Sequence, residues 1–168
     1  MTEEVKRNYL EITSLNDLKE GNKPTEDYSL NLIDPVDFQL NKFFYKNIGK
    51  KHKWTDRLVW SEEKWISYVS SKNVNTYVLK CKDDLVGFFE LIIYQEKNEI
   101  EIAYFGILEE YQNKKLGSYL LSEAIKESFH KKNVKRVWLH TCSLDHKNAL
   151  NNYLVRGMKI FKTEIINV

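Results

Sequence analysis

Residues 101–118 read Glu101-Ile102-Ala103-Tyr104-Phe105-Gly106-Ile107-Leu108, then Glu109-Glu110-Tyr111-Gln112-Asn113-Lys114-Lys115-Leu116-Gly117-Ser118. The first eight are rich in β-formers, the next seven form a polar loop, and Gly117 opens a helix. Leu116, Leu120, Leu121, Ala124, Ile125 and Phe129 recur at helical spacing and give that helix one apolar stripe. Residues 134–142 are again rich in β-formers. Two strands separated by one helix predict parallel neighbours joined by a right-handed crossover.

Upstream, 76–81 and 85–94 flank the turn Lys82-Asp83-Asp84, and Glu96-Lys97-Asn98 leads into 99–108. Three strands with tight turns predict an antiparallel meander. Further upstream, 10–12 reads as a short strand, 20–24 as a loop, and 28–33 as a half-buried strand. Asp34 is the expected cap of a helix with Pro35 in its first turn, carrying Phe38, Leu40, Phe43, Phe44 and Ile48 and ended by Gly49. Residues 54–60 read as an ordered loop, and Ser61-Glu62-Glu63 caps a second helix through Trp65, Ile66 and Val69. Downstream, Asp145 is the expected cap of a last helix carrying Ala149, Leu150, Tyr153 and Leu154 and ended by Gly157. Residues 159–166 form a final strand. The pattern is a mixed sheet with helices on its faces.

The 168 residues fit one domain with its own core. Hydrophobic residues at 42% and charged residues at 30% indicate a globular chain. A net charge of +2 with matched lysines and acids leaves no basic face for nucleic acid. No run approaches a membrane span, and the charged start Met1-Thr2-Glu3-Glu4-Val5-Lys6-Arg7 lacks an apolar signal core, which predicts a cytoplasmic location. Cys81 and Cys142 read as isolated, buried, reduced thiols. His52, His130, His140 and His146 show no metal-ligand spacing with them.

The loop-to-helix step at 109–118 carries the chemistry. Unpaired amide N–H groups at a helix start, with the positive end of the helix dipole, favour a phosphate. Gly117 allows close backbone approach, Ser118 offers a hydroxyl donor, and Lys114 and Lys115 add charge. The same residues also suit an ordinary helix start with solvated lysines. No P-loop or dinucleotide-binding glycine pattern is present.

The order of elements, this segment and the run Asn148-Ala149-Leu150-Asn151-Asn152-Tyr153-Leu154-Val155-Arg156-Gly157-Met158 resemble the GNAT superfamily of acyl-CoA-dependent N-acetyltransferases. More narrowly, Trp54-Thr55-Asp56-Arg57, residues 101–106 and His140-Thr141-Cys142-Ser143-Leu144-Asp145-His146 resemble a bacterial subgroup. The resemblance implies an α/β fold with a mostly antiparallel twisted sheet, helices on both faces and a splayed parallel strand pair. It implies acetyl-CoA as co-substrate, with residues 1–73 on the acceptor side and 74–168 as the acetyl-CoA-binding core. It further implies a small-molecule or peptide amine as acceptor, and it allows a homodimer.

By that resemblance, the backbone of Phe105, Gly106 and Ile107 pairs with the pantetheine arm. The loop residues Gln112, Asn113, Lys114, Lys115, Leu116, Gly117 and Ser118 hold the pyrophosphate. Gln112 and Gly117 fit the two ends of the superfamily pattern Gln/Arg-x-x-Gly-x-Gly/Ala, whereas Lys115 stands where its first glycine is expected. His146 stands where an asparagine is usual, with Asn148 nearby but shifted. Tyr153 keeps the spacing of a tyrosine that protonates the departing thiolate, although periodicity alone reads it as a core residue.

Glu101 is the candidate general base. A central strand buries it and burial raises a carboxylate pKa, although a solvated or salt-bridged glutamate fits the pattern as well. It is expected to share a strand face with Ala103 and Phe105. Glu90, in an apolar run, is the second candidate. Trp54, Asp56, Arg57, Trp60 and Trp65 lie where this fold builds its acceptor pocket, and an aromatic wall with one carboxylate suits a cationic amine. The rival readings are tryptophans that pack the helices, and a non-catalytic CoA-binding or regulatory module.

Overall fold

The computed structural model describes residues 2–168. Seven strands form one sheet in the order β2-β3-β4-β5-β6-β1-β7. They are β1 (Glu4–Ile12), β2 (Tyr28–Leu32), β3 (Val74–Cys81), β4 (Asp84–Tyr94), β5 (Glu99–Ile107), β6 (Arg136–Cys142) and β7 (Lys159–Asn167). The helices are α1 (Phe38–Gly49), α2 (Glu62–Ser70), α3 (Leu116–Phe129) and α4 (Ala149–Val155). All pairings are antiparallel except β5 with β6, where the crossover through α3 makes the strands parallel.

Side-chain alternation sorts the core onto the two faces of the sheet. Tyr77, Leu79, Phe89, Leu91, Ile100 and Ile102 pack with Leu120, Leu121, Ala124 and Ile125 of α3 and Tyr153 of α4. On the other face Val78 and Phe88 pack with Phe44 and Ile48 of α1, and Phe44 stacks on Phe88 at 4.9 Å. Leu121 has no exposed surface. Truncating such a leucine to alanine costs about 2–5 kcal/mol.

Four local expectations change. The first strand is nine residues long and lies between β6 and β7. The charges of Glu4, Lys6 and Arg7 hide it in the sequence, and ladder pairing on both sides stabilises it. The cap of α1 is Asp37, which accepts from Gln39 N at 3.0 Å, so the helix starts after Asp34-Pro35. Asp145 does not cap α4, which starts at Ala149 after Asn148. Its carboxylate instead ties the preceding turn, accepting from Cys142 N at 3.0 Å and from the Thr141 hydroxyl. Cys81 and Cys142 are free thiols but only half-buried.

A bulge in β5 corrects the expected orientation of Glu101. Glu90 pairs with Tyr104 and Leu91 with Ile102, so Ala103 is an extra residue without a partner. Ile100 and Ile102 before the bulge, and Phe105 and Ile107 after it, all face α3. Glu101 therefore shares its face with Tyr104, on the side of α1 and α2, and not with Phe105. Gly106 marks a close approach on this side: a Cβ there would meet Ile48 Cγ2 at 2.6 Å. Gly157, at φ +110°, turns the chain out of α4 where a Cβ would strike the Asp17 carbonyl at 2.1 Å.

Candidate active site

The parallel pairing of β5 and β6 ends at Glu101 with Trp138. Beyond that point the strands diverge, and the gap opens into a cavity of about 950 Å³. Its walls are the far half of β5, the β6–α4 turn, the start of α3, one side of α4 and the loop between α1 and α2. Strand backbone freed from a partner can pair with an extended ligand as an added strand would.

One end of the cavity is basic and rich in amides. Gln112, Asn113, Lys115, Leu116, Gly117 and Ser118 line it, together with Asn148 and Arg156. Lys115 precedes α3 in the left-handed conformation, with φ 63°. It occupies backbone space natural to glycine, which gives the departure from the family pattern a structural reading. Ser118 donates its hydroxyl proton to the Lys115 carbonyl at 2.9 Å, so that proton braces the loop and is not free for a ligand. Gln112 Nε2 donates to the Ile107 carbonyl at 3.3 Å and fixes the end of β5. Lys114 does not line the cavity; its ammonium lies 5.3 Å from the centre of the Tyr111 ring. Arg156 was not singled out in the sequence, although it falls inside the quoted run 148–158. Its Nε is buried without a partner, and with Lys115 and the α3 amides it suits an oligophosphate.

Phe105, Gly106, Ile107 and Tyr153 line the middle of the cavity, with the Phe105 and Tyr153 rings 6.4 Å apart. Burial, and next the charge of Asp145, raise the Tyr153 pKa well above its ordinary value. The phenol therefore stays protonated and can act as an acid.

The other end holds the carboxylates. Glu101 is 9% exposed and lines the cavity. Burial raises its pKa, opposed by a hydrogen bond from Tyr94 at 2.8 Å and by the charge of Arg57. Trp54, Asp56 and Arg57 line the same end. Asp56 accepts from the Tyr45 hydroxyl at 2.9 Å and from the Tyr104 hydroxyl at 2.9 and 3.0 Å.

Glu90 is not part of the cavity lining, which removes it as a pocket carboxylate and as an alternative base. It is fully buried beneath the site, and Arg57 Nη1 donates to its two oxygens at 2.9 and 3.2 Å. Asn41 at 2.8 Å and Tyr68 at 2.7 Å complete its shell. The Arg57 guanidinium sits among the rings of Tyr104, Tyr68, Trp60, Trp65 and Tyr45, at 4.2 to 5.8 Å from their centres. Burial alone would lower its pKa, but the charge of Glu90 and the neighbouring tyrosines raise it. Most of the expected aromatic wall thus encloses the protein's own cation. Trp60 and Trp65 pack that cage, and only Trp54 among these tryptophans reaches the cavity.

Sequence reading missed Arg7 and His52, which line the cavity together with His140 and His146 of the quoted run 140–146. His146 Nδ1 accepts from Asn148 N at 3.1 Å. Desolvation, then His52 and Lys147, push its pKa below the ordinary histidine value and keep it neutral. No local pattern marks Arg7 or His52, because the β5–β6 splay and the placement of β1 bring them to the site.

The Acetyltransferase (GNAT) family model matches residues 38–158. The chain belongs to this family. Acetyl-CoA-dependent acetyl transfer is the general activity of GNAT proteins, and the splayed β5–β6 pair is part of their fold. No curated protein matches the chain at a significant level. A GCN5-related N-acetyltransferase from Sphaerobacter thermophilus superposes with TM-score 0.76 at 15% identity, over 99% of this chain and 52% of that one. An aminoglycoside acetyltransferase from an uncultured soil sample gives TM-score 0.63 at 12% identity, over 76% and 85% of the two chains. The ribosomal-protein-S18-alanine N-acetyltransferase of Escherichia coli gives 0.57 at 16%, over 76% and 74%. The chain spans about half the length of the Sphaerobacter protein. At such identities these likenesses concern the fold alone. Among the described residues, no helix is long and apolar enough to cross a membrane.

Proposed function

We propose that this GNAT chain transfers an acetyl group from acetyl-CoA directly to an amine bound in the same cavity. The observation that carries this reading is a single cavity with a basic, amide-rich end at Lys115 and Arg156 and a buried carboxylate, Glu101, at the other. Tyr153 lies along the same cavity. The basic end fits the pyrophosphate of acetyl-CoA, and the unpaired edge of β5 fits its pantetheine arm. When bound, acetyl-CoA supplies an activated acyl group with a thiolate leaving group.

Glu101 takes a proton from the acceptor ammonium, directly or through water, and so frees the nitrogen lone pair for attack. Backbone N–H groups of β5 beyond the splay polarise the thioester carbonyl as negative charge develops on its oxygen. Tyr153 gives its proton to the sulfur as the carbon–sulfur bond breaks, and solvent restores it. Holding both reactants in one cavity replaces a bimolecular encounter with an oriented one. Cys142 has its pKa raised by burial, which argues against a covalent acyl-enzyme.

The test is thiol release from acetyl-CoA across a panel of amines, beside calorimetry with acetyl-CoA. Turnover that collapses in Glu101→Gln and Tyr153→Phe supports the assignment, and full turnover in both removes it. One observation favours a second reading, a non-catalytic CoA-binding module: Lys115 holds a left-handed position where the family carries glycine. That reading expects acetyl-CoA binding with no thiol release on any amine.

A further inference from the structure

Asp56 is an ordered carboxylate that forms no ion pair among the described residues. Two hydroxyls from different elements, Tyr45 of α1 and Tyr104 of β5, hold it from below at 2.9 Å. Its side chain remains exposed on the cavity wall. A carboxylate has about four acceptor positions, so these hydrogen bonds leave capacity for one further donor. Of the nearby basic groups, Arg57 is engaged by Glu90 at 2.9 Å and Lys53 by Glu3 at 2.8 Å. His140 feels the charge of Asp56 but has its pKa lowered by burial, and it makes no hydrogen bond to Asp56 among the described residues. Trp54 stands beside it, edge-on to Tyr104 at 4.8 Å, and offers an aromatic surface at the same point. An ordered carboxylate flanked by an aromatic ring suits an ammonium group.

Glu101 is a second, separate carboxylate on the same sheet face as Tyr104. Two residues of bulged strand, Ile102 and Ala103, lie between them, so Glu101 and the Asp56 that Tyr104 holds face the same cavity from separate points.

We propose that Asp56 anchors a second ammonium group on the acceptor, so that the preferred acceptor is a diamine whose other nitrogen lies at Glu101. This rests on the amine-acetylation reading above, but its test does not depend on turnover. In that geometry Asp56 selects the acceptor and orients it, whereas Glu101 deprotonates the nitrogen that is acetylated.

The experiment compares 1,4-diaminobutane with n-butylamine, which lacks only the second nitrogen. Binding is measured by calorimetry on CoA-saturated protein, and kcat/KM by thiol release. The wild type should favour the diamine by about tenfold or more, the effect of one charge-assisted hydrogen bond. Asp56→Asn, close in size, should reduce that ratio to about one. Asp56→Glu should restore it, with the best diamine one methylene shorter. Thermal melts of both variants report whether the tyrosine network survives. Equal wild-type binding of the two amines overturns the proposal, as does an equal loss on both in Asp56→Asn. Selective diamine binding without thiol release would keep the Asp56 subsite and overturn the proposed catalysis instead.

Discussion

The Tyr94 hydroxyl donates to Glu101 Oε1 at 2.8 Å, yet Glu101 is displaced toward its protonated form, because burial outweighs that bond and the charge of Arg57. A base with a raised pKa makes the rate climb with pH as it ionises. Glu101→Gln should lower kcat by about 10²- to 10⁴-fold with little change in acetyl-CoA affinity. Tyr94→Phe removes a bond that favours the charged form, so it should move the acidic limb of kcat/KM to higher pH. A pH profile of thiol release on the wild type and both variants checks this, and an unmoved limb in Tyr94→Phe would contradict the assigned titration.

The same displacement has a consequence for stability. The folded-state pKa of Glu101 lies above its ordinary value of 4.5, so the folded chain binds this proton more tightly than the unfolded chain does. Stability from this group is present below the ordinary value and is lost as pH rises through the folded-state pKa. Glu101→Gln should therefore melt at a higher temperature than the wild type at neutral pH. The gain should fade when both are melted below pH 4.5. A variant that is less stable at neutral pH would mean that the ionised carboxylate is favoured where it stands.

Tyr153 is buried and held well above its ordinary pKa, so its proton is retained across the working range. Tyr153→Phe keeps the ring and its packing and removes only the acid. The expected loss is about 10²-fold or more in kcat, with stability and acetyl-CoA binding preserved. No basic limb of the pH profile should belong to this residue. Comparable losses in folding and in kcat would return Tyr153 to the role of a core residue.

Arg57 and Glu90 are 4% and 0% exposed, and among the described residues each is the other's ion-pair partner. Removing one leaves the other buried and uncompensated, at a cost of about 3–5 kcal/mol. Arg57→Met and Glu90→Gln should both lower the unfolding free energy from urea denaturation by that order. Replacing the two together should cost less than the sum of the single changes, because no isolated charge remains. Strict additivity would show that the pair does not interact as its geometry requires.

Much of this architecture is legible in the chain because its signals are local. The meander and the crossover through α3 follow from periodicity and turn residues, whereas the spacing of Ala149, Tyr153 and Gly157 carries meaning only through the family resemblance. The orientation of Glu101 was not legible, since one unpaired residue, Ala103, reverses strand parity and only cross-strand register reveals it. Nor could sequence show that Arg57 fills the aromatic cage, because its ion pair with Glu90 joins residues 33 positions apart. The caps divided along the same line. Ser61 caps α2 as expected, accepting from Lys64 N at 3.2 Å, whereas Asp34 and Asp145 had nearby competitors that local reading could not rank.

Lys115 tests the cofactor end most directly, because its backbone and its charge can be separated. Its φ of 63° is a conformation that costs a residue with a Cβ about 1–2 kcal/mol and costs glycine little. Lys115→Ala removes the charge and keeps the strain, whereas Lys115→Gly removes both. Added freedom in the unfolded chain offsets part of glycine's gain. The glycine variant should therefore exceed the alanine variant by about 1 kcal/mol or somewhat less in chemical denaturation. If Lys115 contacts the pyrophosphate, both variants should bind acetyl-CoA several-fold more weakly than the wild type, and rising salt should narrow the gap. If instead only the backbone amides hold the phosphates, affinity should be unchanged in both. A glycine variant less stable than the alanine variant would show that the left-handed turn carries no strain to relieve.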